Sequence, residues 1–222
     1  MRSLIAKLLV AAGVLGFLSL GVWQIERLQW KRALIRQVDA KLAAAPVPAP
    51  PAAYRATAAD SYTRVTARGR WLSGHDAYVQ AVTALGGGYW VMTPLDTPGG
   101  RIIVNRGFVP TDMRGRAPAA SGAASVTGLL RLTEPGGGFL RANDPAAGRW
   151  YSRDVAGIAA ARGLGPVAPW FIDAGANGDG WPRGGLTIVS FRNSHLSYAL
   201  TWFAMAALLA WLGWRAWRKG AQ

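Results

Sequence analysis

Arg192-Asn193-Ser194-His195-Leu196-Ser197-Tyr198-Ala199-Leu200-Thr201-Trp202 opens the last apolar segment of the chain. From Leu196 to Trp214 no residue is charged. As a helix, that stretch spans about 28 Å, close to the hydrocarbon thickness of a bilayer. One of only two histidines in the sequence stands just before it. His195, Tyr198, Trp202 and Met205 fall at i, i+3, i+7 and i+10, within an arc of about 80° on one helical face. A purely lipid-facing stripe has no need of an imidazole, a phenol and an indole, so this face is expected to meet a partner.

A second apolar run lies at the other end. Lys7 is followed by the uncharged stretch from Leu8 to Trp23, and no small-x-small cleavage site closes it. The run therefore reads as an uncleaved signal anchor, with Lys7 at the inner face and Trp23 in the outer aromatic belt. Ala12 and Gly16 form a small-xxx-small pair that would admit a second helix, for which the C-terminal span is the candidate. Ile25, Leu28, Ile35, Val38 and Leu42 continue a helical stripe past the membrane surface. Pro46, Pro48, Pro50 and Pro51 then predict a spacer that no helix can cross.

Between the spans the pattern changes to short runs punctuated by glycine and proline. Strands are predicted at Tyr62–Trp71, Ala77–Val82, Tyr89–Leu95, Arg101–Arg106, Ser125–Leu132, Trp170–Asp173 and Leu186–Phe191. Turns are expected at residues 86–88, 98–100, 111–122 and 135–138. One short helix is expected from Arg153 to Arg162, with Ser152 as its N-cap. The fold class is thus a membrane protein in which two transmembrane helices flank a mostly antiparallel β domain, a sandwich or partly open barrel, with one short helix. The expected organisation is an anchor at 1–23, a helical extension at 24–45 and a Pro-rich linker at 46–53. A β-rich domain at 54–192, a second span at 193–214 and a basic tail at 215–222 follow. The basic ends place both termini in the cytoplasm and the β domain in the periplasm of a bacterium, in the inner membrane.

The net charge is +14, from 25 basic and 11 acidic residues, and the arginines are scattered. No run of five or six basic residues appears, so no nucleic-acid partner is expected. The surplus remains available to anionic membrane lipids or to an acidic or propionate-bearing ligand. The absence of cysteine excludes disulfides, thiolate nucleophiles, iron–sulfur ligation and thiolate copper sites. No G-x-S-x-G, H-E-x-x-H or phosphate-loop motif is present, and His75 reads as a turn residue, so an enzyme is not expected.

His195 admits two readings: an interfacial residue capping a transmembrane helix, or a ligand to a metal already held in a macrocycle. In the first helical turn the positive helix end disfavours the imidazolium and leaves a lone pair for metal. Arg192 beside it would attract the carboxylates of a macrocycle such as haem, with Tyr198 and Trp202 flanking the ring and Ala199 and Ala206 leaving room.

Several further stretches, taken in order, carry a resemblance. They are Leu20-Gly21-Val22-Trp23-Gln24 with Arg27 and Trp30-Lys31, Gly88 to Leu95, Val104-Asn105-Arg106-Gly107-Phe108-Val109-Pro110, and Gly128-Leu129-Leu130-Arg131. Trp150-Tyr151 with Arg153-Asp154, Phe171-Ile172-Asp173, and the Arg192-to-Trp202 segment complete the series. Together they resemble the Surfeit locus protein 1 family of membrane-anchored assembly factors for haem-copper cytochrome c oxidase. The resemblance covers nearly the whole chain, with a departure in the glycine-rich loop 178–185, where relatives vary.

It implies a non-catalytic factor that binds haem a as transient cargo and helps place it into oxidase subunit I. His195 would be the axial ligand of the haem iron and Trp202 a haem contact. The implied partners are cytochrome c oxidase subunit I, with haem A synthase as a further candidate. The alternative is a membrane-anchored scaffold that binds oxidase subunits without holding haem.

Overall fold

The computed structural model describes residues 2–138, 140–187 and 193–219. It divides into two compact units, one formed by Met1–Asp39 with Val189–Gln222 and the other by Ala40–Ile188.

The first unit is a helix pair. Helix α1 runs unbroken from Arg2 to Ala43 and stops ahead of the prolines, and α3 runs from His195 to Lys219. Both are long and apolar enough to cross a membrane. They pack antiparallel through glycine: a Cβ at Gly13 would come within 2.7 Å of Leu209, one at Gly21 within 2.4 Å of the Phe203 ring, and one at Gly213 within 2.9 Å of Val10. Lys7 lies 5.8 Å from the Trp217 ring centroid at the far end of the pair. Small residues at these positions let the two backbones approach closely. The contact stripe on α1 is thus Val10, Gly13, Phe17, Gly21 and Gln24. The predicted Ala12–Gly16 pair lies one residue behind it, about 100° around the helix. Both residues are exposed, and nothing stands within 4 Å of a Cβ built at Gly16.

The second unit is built on one seven-stranded sheet. Its strands are β1 (Val47–Pro48), β2 (Arg64–Trp71), β3 (Ala77–Thr83), β4 (Gly86–Thr97), β5 (Gly100–Pro110), β6 (Ala123–Leu132) and β7 (Trp170–Ala174). The order is β1-β2-β6-β7-β5-β4-β3, and β2 also pairs with β4 at Arg70↔Asp96 and Trp71↔Leu95. That short contact closes β2, β6, β7, β5 and β4 into a ring, so the unit is a partly closed barrel and not a sandwich. The sheet is mixed, because β1–β2 and β5–β7 pair in parallel.

Four local expectations change. The Pro-rich segment is not a free spacer: β1 lies along β2, Ala49 N–H donates to Thr66 O, and Ala52 N–H donates to Gly99 O. Proline is tolerated there because an outermost strand has one edge with no ladder to feed. Gly86-Gly87-Gly88 opens β4 instead of forming a loop, and a Cβ at Gly88 would lie 2.2 Å from Val109 O across the sheet. Helix α2 spans Val155–Ala161 with Asp154 as N-cap, its carboxylate accepting from Gly157 N–H at 3.0 Å. Ser152 instead accepts from Gly137 N–H and Asn143. Of the predicted strand Leu186–Phe191, Leu186 and Thr187 are not in a strand and the remainder lies outside the described residues.

Strand β5 runs past its predicted end because it bulges. Trp90 pairs with Phe108 and Met92 with Asn105, which sets Arg106-Gly107 opposite the single residue Val91. Gly107 takes φ +134, and a Cβ there would sit 2.3 Å from the Arg183 carbonyl carbon. Phe108 and Arg183 exchange two backbone hydrogen bonds at 2.9 Å beside it. Gly107→Ala is therefore expected to destabilise the β unit by about 2 kcal/mol or more, from positive-φ strain plus a backbone clash. Urea unfolding followed by tryptophan fluorescence measures it, and a change below about 0.5 kcal/mol would contradict the close packing.

Candidate functional site

Helix α3 begins at the histidine. Tyr198 N–H donates to Ser194 O at 3.2 Å as the first turn closes, and His195 N–H reaches Asn193 Oδ1 at 3.4 Å. His195 is thus the first helical residue, among N–H groups that have no partner within the helix.

Its partner comes from α1. Gln24 is 9% exposed, and its Oε1 lies 2.8 Å from His195 Nδ1. A carbonyl oxygen can only accept, so Nδ1 is the donor in this pair, and in the neutral ring the lone pair falls on Nε2. An amide buried in an apolar helix pair without a partner costs about 1–3 kcal/mol, which the imidazole relieves. The same bond fixes the tautomer that presents Nε2 as a metal ligand, the arrangement metal-binding histidines usually adopt.

The four-residue stripe divides on packing. Trp202 turns toward α1 and stacks on Phe17, with centroids 5.7 Å apart and planes at 24°. Tyr198 is 55% exposed and Met205 is exposed as well. Ala199 and Ala206 are buried, so the room they leave beside the stripe is occupied by the helix contact. His195, Gln24, Phe17 and Trp202 therefore share the inner face, while Tyr198 faces outward on the same helix. Arg192 lies outside the described residues.

The β unit carries a separate buried polar cluster. Asp173 on β7 is 1% exposed and accepts from Asn105 Nδ2 at 2.8 Å, Arg131 at 3.0 Å, Arg153 at 3.1 Å and Thr187 Oγ1 at 3.1 Å. Glu134 accepts from Arg153 Nε at 3.0 Å. Burial works against the Arg153 charge, yet Asp173 and Glu134 together hold its pKa above the ordinary arginine value. Arg106 differs: burial is the largest influence and lowers its pKa, while Asp76, 3.7 Å away, opposes the shift. Its guanidinium also donates to Pro118 O at 2.7 Å. His75 Nδ1 lies 3.0 Å from Ser73 O in the turn before β3. Among the described residues, no group of three or more His, Cys, Asp or Glu side chains is placed to hold a metal ion.

The SURF1 family model matches residues 11–207, which takes in most of both helices and all of the barrel. The chain belongs to the SURF1 family. Surfeit locus protein 1 of Rattus norvegicus is 32% identical over 214 residues, covering 85% of this chain and 68% of its own length. The Homo sapiens protein of that name is 33% identical over 215 residues, covering 85% and 69%. A SURF1-like protein of Monosiga brevicollis is 35% identical over 225 residues, covering 90% and 83%.

In this SURF1-family chain the sequence singles out His195 as a candidate but not its partner Gln24. A signal is present: Gln24 is an uncharged polar residue following Trp23 near the end of the uncharged stretch of α1, where such groups need a partner. Its helical phase relative to α3 could not be read without the packing. The Asp173 cluster was missed for a different reason, because its members are scattered from position 105 to position 187.

Proposed function

We propose that this chain is a non-catalytic assembly factor of haem-copper cytochrome c oxidase, holding haem a during its delivery to subunit I. It would lie in a bacterial inner membrane with both termini cytoplasmic and the β unit periplasmic. The observation that carries the haem reading is the His195–Gln24 pair, which engages Nδ1 and leaves Nε2 free of that contact at the end of an apolar helix pair. His195 is the candidate axial ligand, because a single protein imidazole suffices to hold haem iron. Phe17 and Trp202 supply an aromatic wall on the same face, and the exposed Tyr198 offers an outer flank for the macrocycle. Arg192, three positions ahead of His195, supplies a charge suited to a propionate. Haem a brings its own iron. What the chain would contribute is an imidazole oriented by Gln24, an apolar surround and no covalent attachment.

Protein co-expressed with a haem A synthase is expected to purify with a haem a absorption spectrum. A colourless protein under those conditions, with the synthase shown to be active, would reject the haem reading. Gln24→Leu removes the Nδ1 acceptor while keeping a helix-compatible shape. It is expected to weaken haem retention about 10- to 100-fold, the usual effect of losing a partner behind a histidine ligand. Gln24→Glu restores an acceptor and is expected to recover most of that loss. Equal retention in all three proteins would remove Gln24 from the site.

A further inference from the structure

One end of the barrel carries exposed groups for which neither haem binding nor the fold has a use. Strand β3 is an edge of the sheet, and its hairpin with β4 leaves Val82 85% exposed, with Leu85 also exposed. Nearby, Gly138 and Arg141 exchange backbone hydrogen bonds of 2.9 and 3.3 Å around a tight turn. Within that turn Leu140 is held at φ +61 and is 88% exposed. A leucine in left-handed backbone is uncommon, and here no burial offsets the strain. Val82 and Gly138 line the same shallow hollow of about 220 Å³, so the two tips stand side by side.

The hollow shares Gln80, Arg141 and Tyr151 with a second one of about 180 Å³, which Arg114 and Arg149 complete. Arg114 lies 5.0 Å over the Tyr89 ring and Arg141 lies 5.6 Å over Tyr151, contacts that hold both guanidiniums in place. Asp144 pairs with Arg149 at 2.6 Å, whereas Arg114 and Arg141 are in no ion pair among the described residues. An apolar lobe with protruding aliphatic tips therefore adjoins a positively charged lobe.

Arginines scattered over a chain of net charge +14 would by themselves be a solvated surface. Two arginines that make no ion pair among the described residues, beside three exposed aliphatic residues, form a different surface, with the amphipathic chemistry of a membrane interface. We propose that this end of the β unit docks on an anionic lipid surface, a headgroup phosphate entering between Arg114, Arg141 and Arg149 while Val82, Leu85 and Leu140 enter the acyl boundary. Planar guanidiniums suit a phosphate, and neighbouring apolar groups gain only if the ligand is attached to a hydrocarbon layer. The proposal rests on the membrane reading of the two helices and is independent of haem binding.

The full chain has no cysteine, so single nitroxide labels can be placed at Val82→Cys, Leu140→Cys, Arg68→Cys as an exposed barrel control, and Leu208→Cys on α3. Each is reconstituted in nanodiscs of phosphatidylcholine alone or with phosphatidylglycerol, and probed with oxygen and with a water-soluble nickel chelate. The labels at 82 and 140 are expected to lose most of their chelate accessibility and gain oxygen accessibility only in anionic discs. High salt, or Arg114→Gln with Arg141→Gln, is expected to reverse the change. Residue 68 is expected to stay aqueous and residue 208 to stay immersed throughout. Equal chelate accessibility in both lipids overturns the proposal. Protection that is lipid-independent, or that survives the arginine changes, also overturns it and indicates a protein contact. An aqueous label at Leu208 would instead refute the membrane reading beneath it.

Discussion

On the proposed haem reading, His195→Ala is expected to abolish haem a retention while leaving the protein folded. Loss of the imidazole removes the candidate iron ligand and leaves Gln24 without its 2.8 Å partner. The stability cost is that of one unpaired buried amide, about 1–3 kcal/mol, set against a helix pair that keeps its glycine contacts at Gly13, Gly21 and Gly213. Structure and cargo are therefore separable in this variant. The measurement is the haem-to-protein ratio and absorption spectrum after co-expression with a haem A synthase. Circular dichroism and an unchanged detergent-solubilised size serve as controls. His195→Met is the informative companion, because a thioether can hold haem iron but shifts its spectrum. An unchanged spectrum and stoichiometry in the alanine protein would exclude His195 as an essential ligand. Should cofactor-free protein still capture subunit I, with the oxidase assembling normally in the alanine strain, the scaffold reading would replace the haem reading.

Asp173→Ala is expected to be among the most damaging single changes in the β unit. Two guanidiniums, Arg131 and Arg153, converge on a carboxylate that is 1% exposed, and the side chains of Asn105 and Thr187 also donate to it. Removing one member of a buried, hydrogen-bonded ion cluster strands the others. The usual cost is about 3–5 kcal/mol, against a total domain stability of about 5–15 kcal/mol. Glu134 compensates in part, because it pairs with Arg153 and lies 3.5 Å from Arg131. Asp173→Asn separates shape from charge and is expected to fall between alanine and wild type. Urea unfolding of each protein decides the matter, and a loss below about 1 kcal/mol for the alanine variant would show the cluster to be solvated and weak. A double variant in which Arg153→Leu accompanies Asp173→Ala should lose less than the sum of its single changes, as coupled neighbours do.

Much of the architecture was legible in residue patterns. Uncharged stretches as long as Leu8 to Trp23 and Leu196 to Trp214 have few soluble uses, so the two apolar helices follow from composition and length. Ile102-Ile103-Val104 is continuous and apolar, and all three residues are buried in β5. Turn chemistry was less decisive. Glycine marks both loops and close backbone approaches, and Gly86 to Gly88 belongs to the second kind only because Val109 O lies across the ladder. The Pro-rich linker likewise reads as a spacer until β2 offers it an open edge.

By itself the sequence determined the alternation of apolar helix, β-rich middle and apolar helix and the absence of thiol chemistry, and it singled out His195 as a candidate. These are one-dimensional properties, set by charge, period and residue type. Tertiary structure alone decided that β2 meets β4 to close the barrel, that Asp173 collects its arginines, and that Gly13 and Gly21, not Ala12 and Gly16, face α3. It alone brought Gln24 to His195 across 171 positions. Each of these depends on register and on helical phase. A shift of one residue turns a side chain by about 100°, and nothing local in the sequence records which phase packing selects.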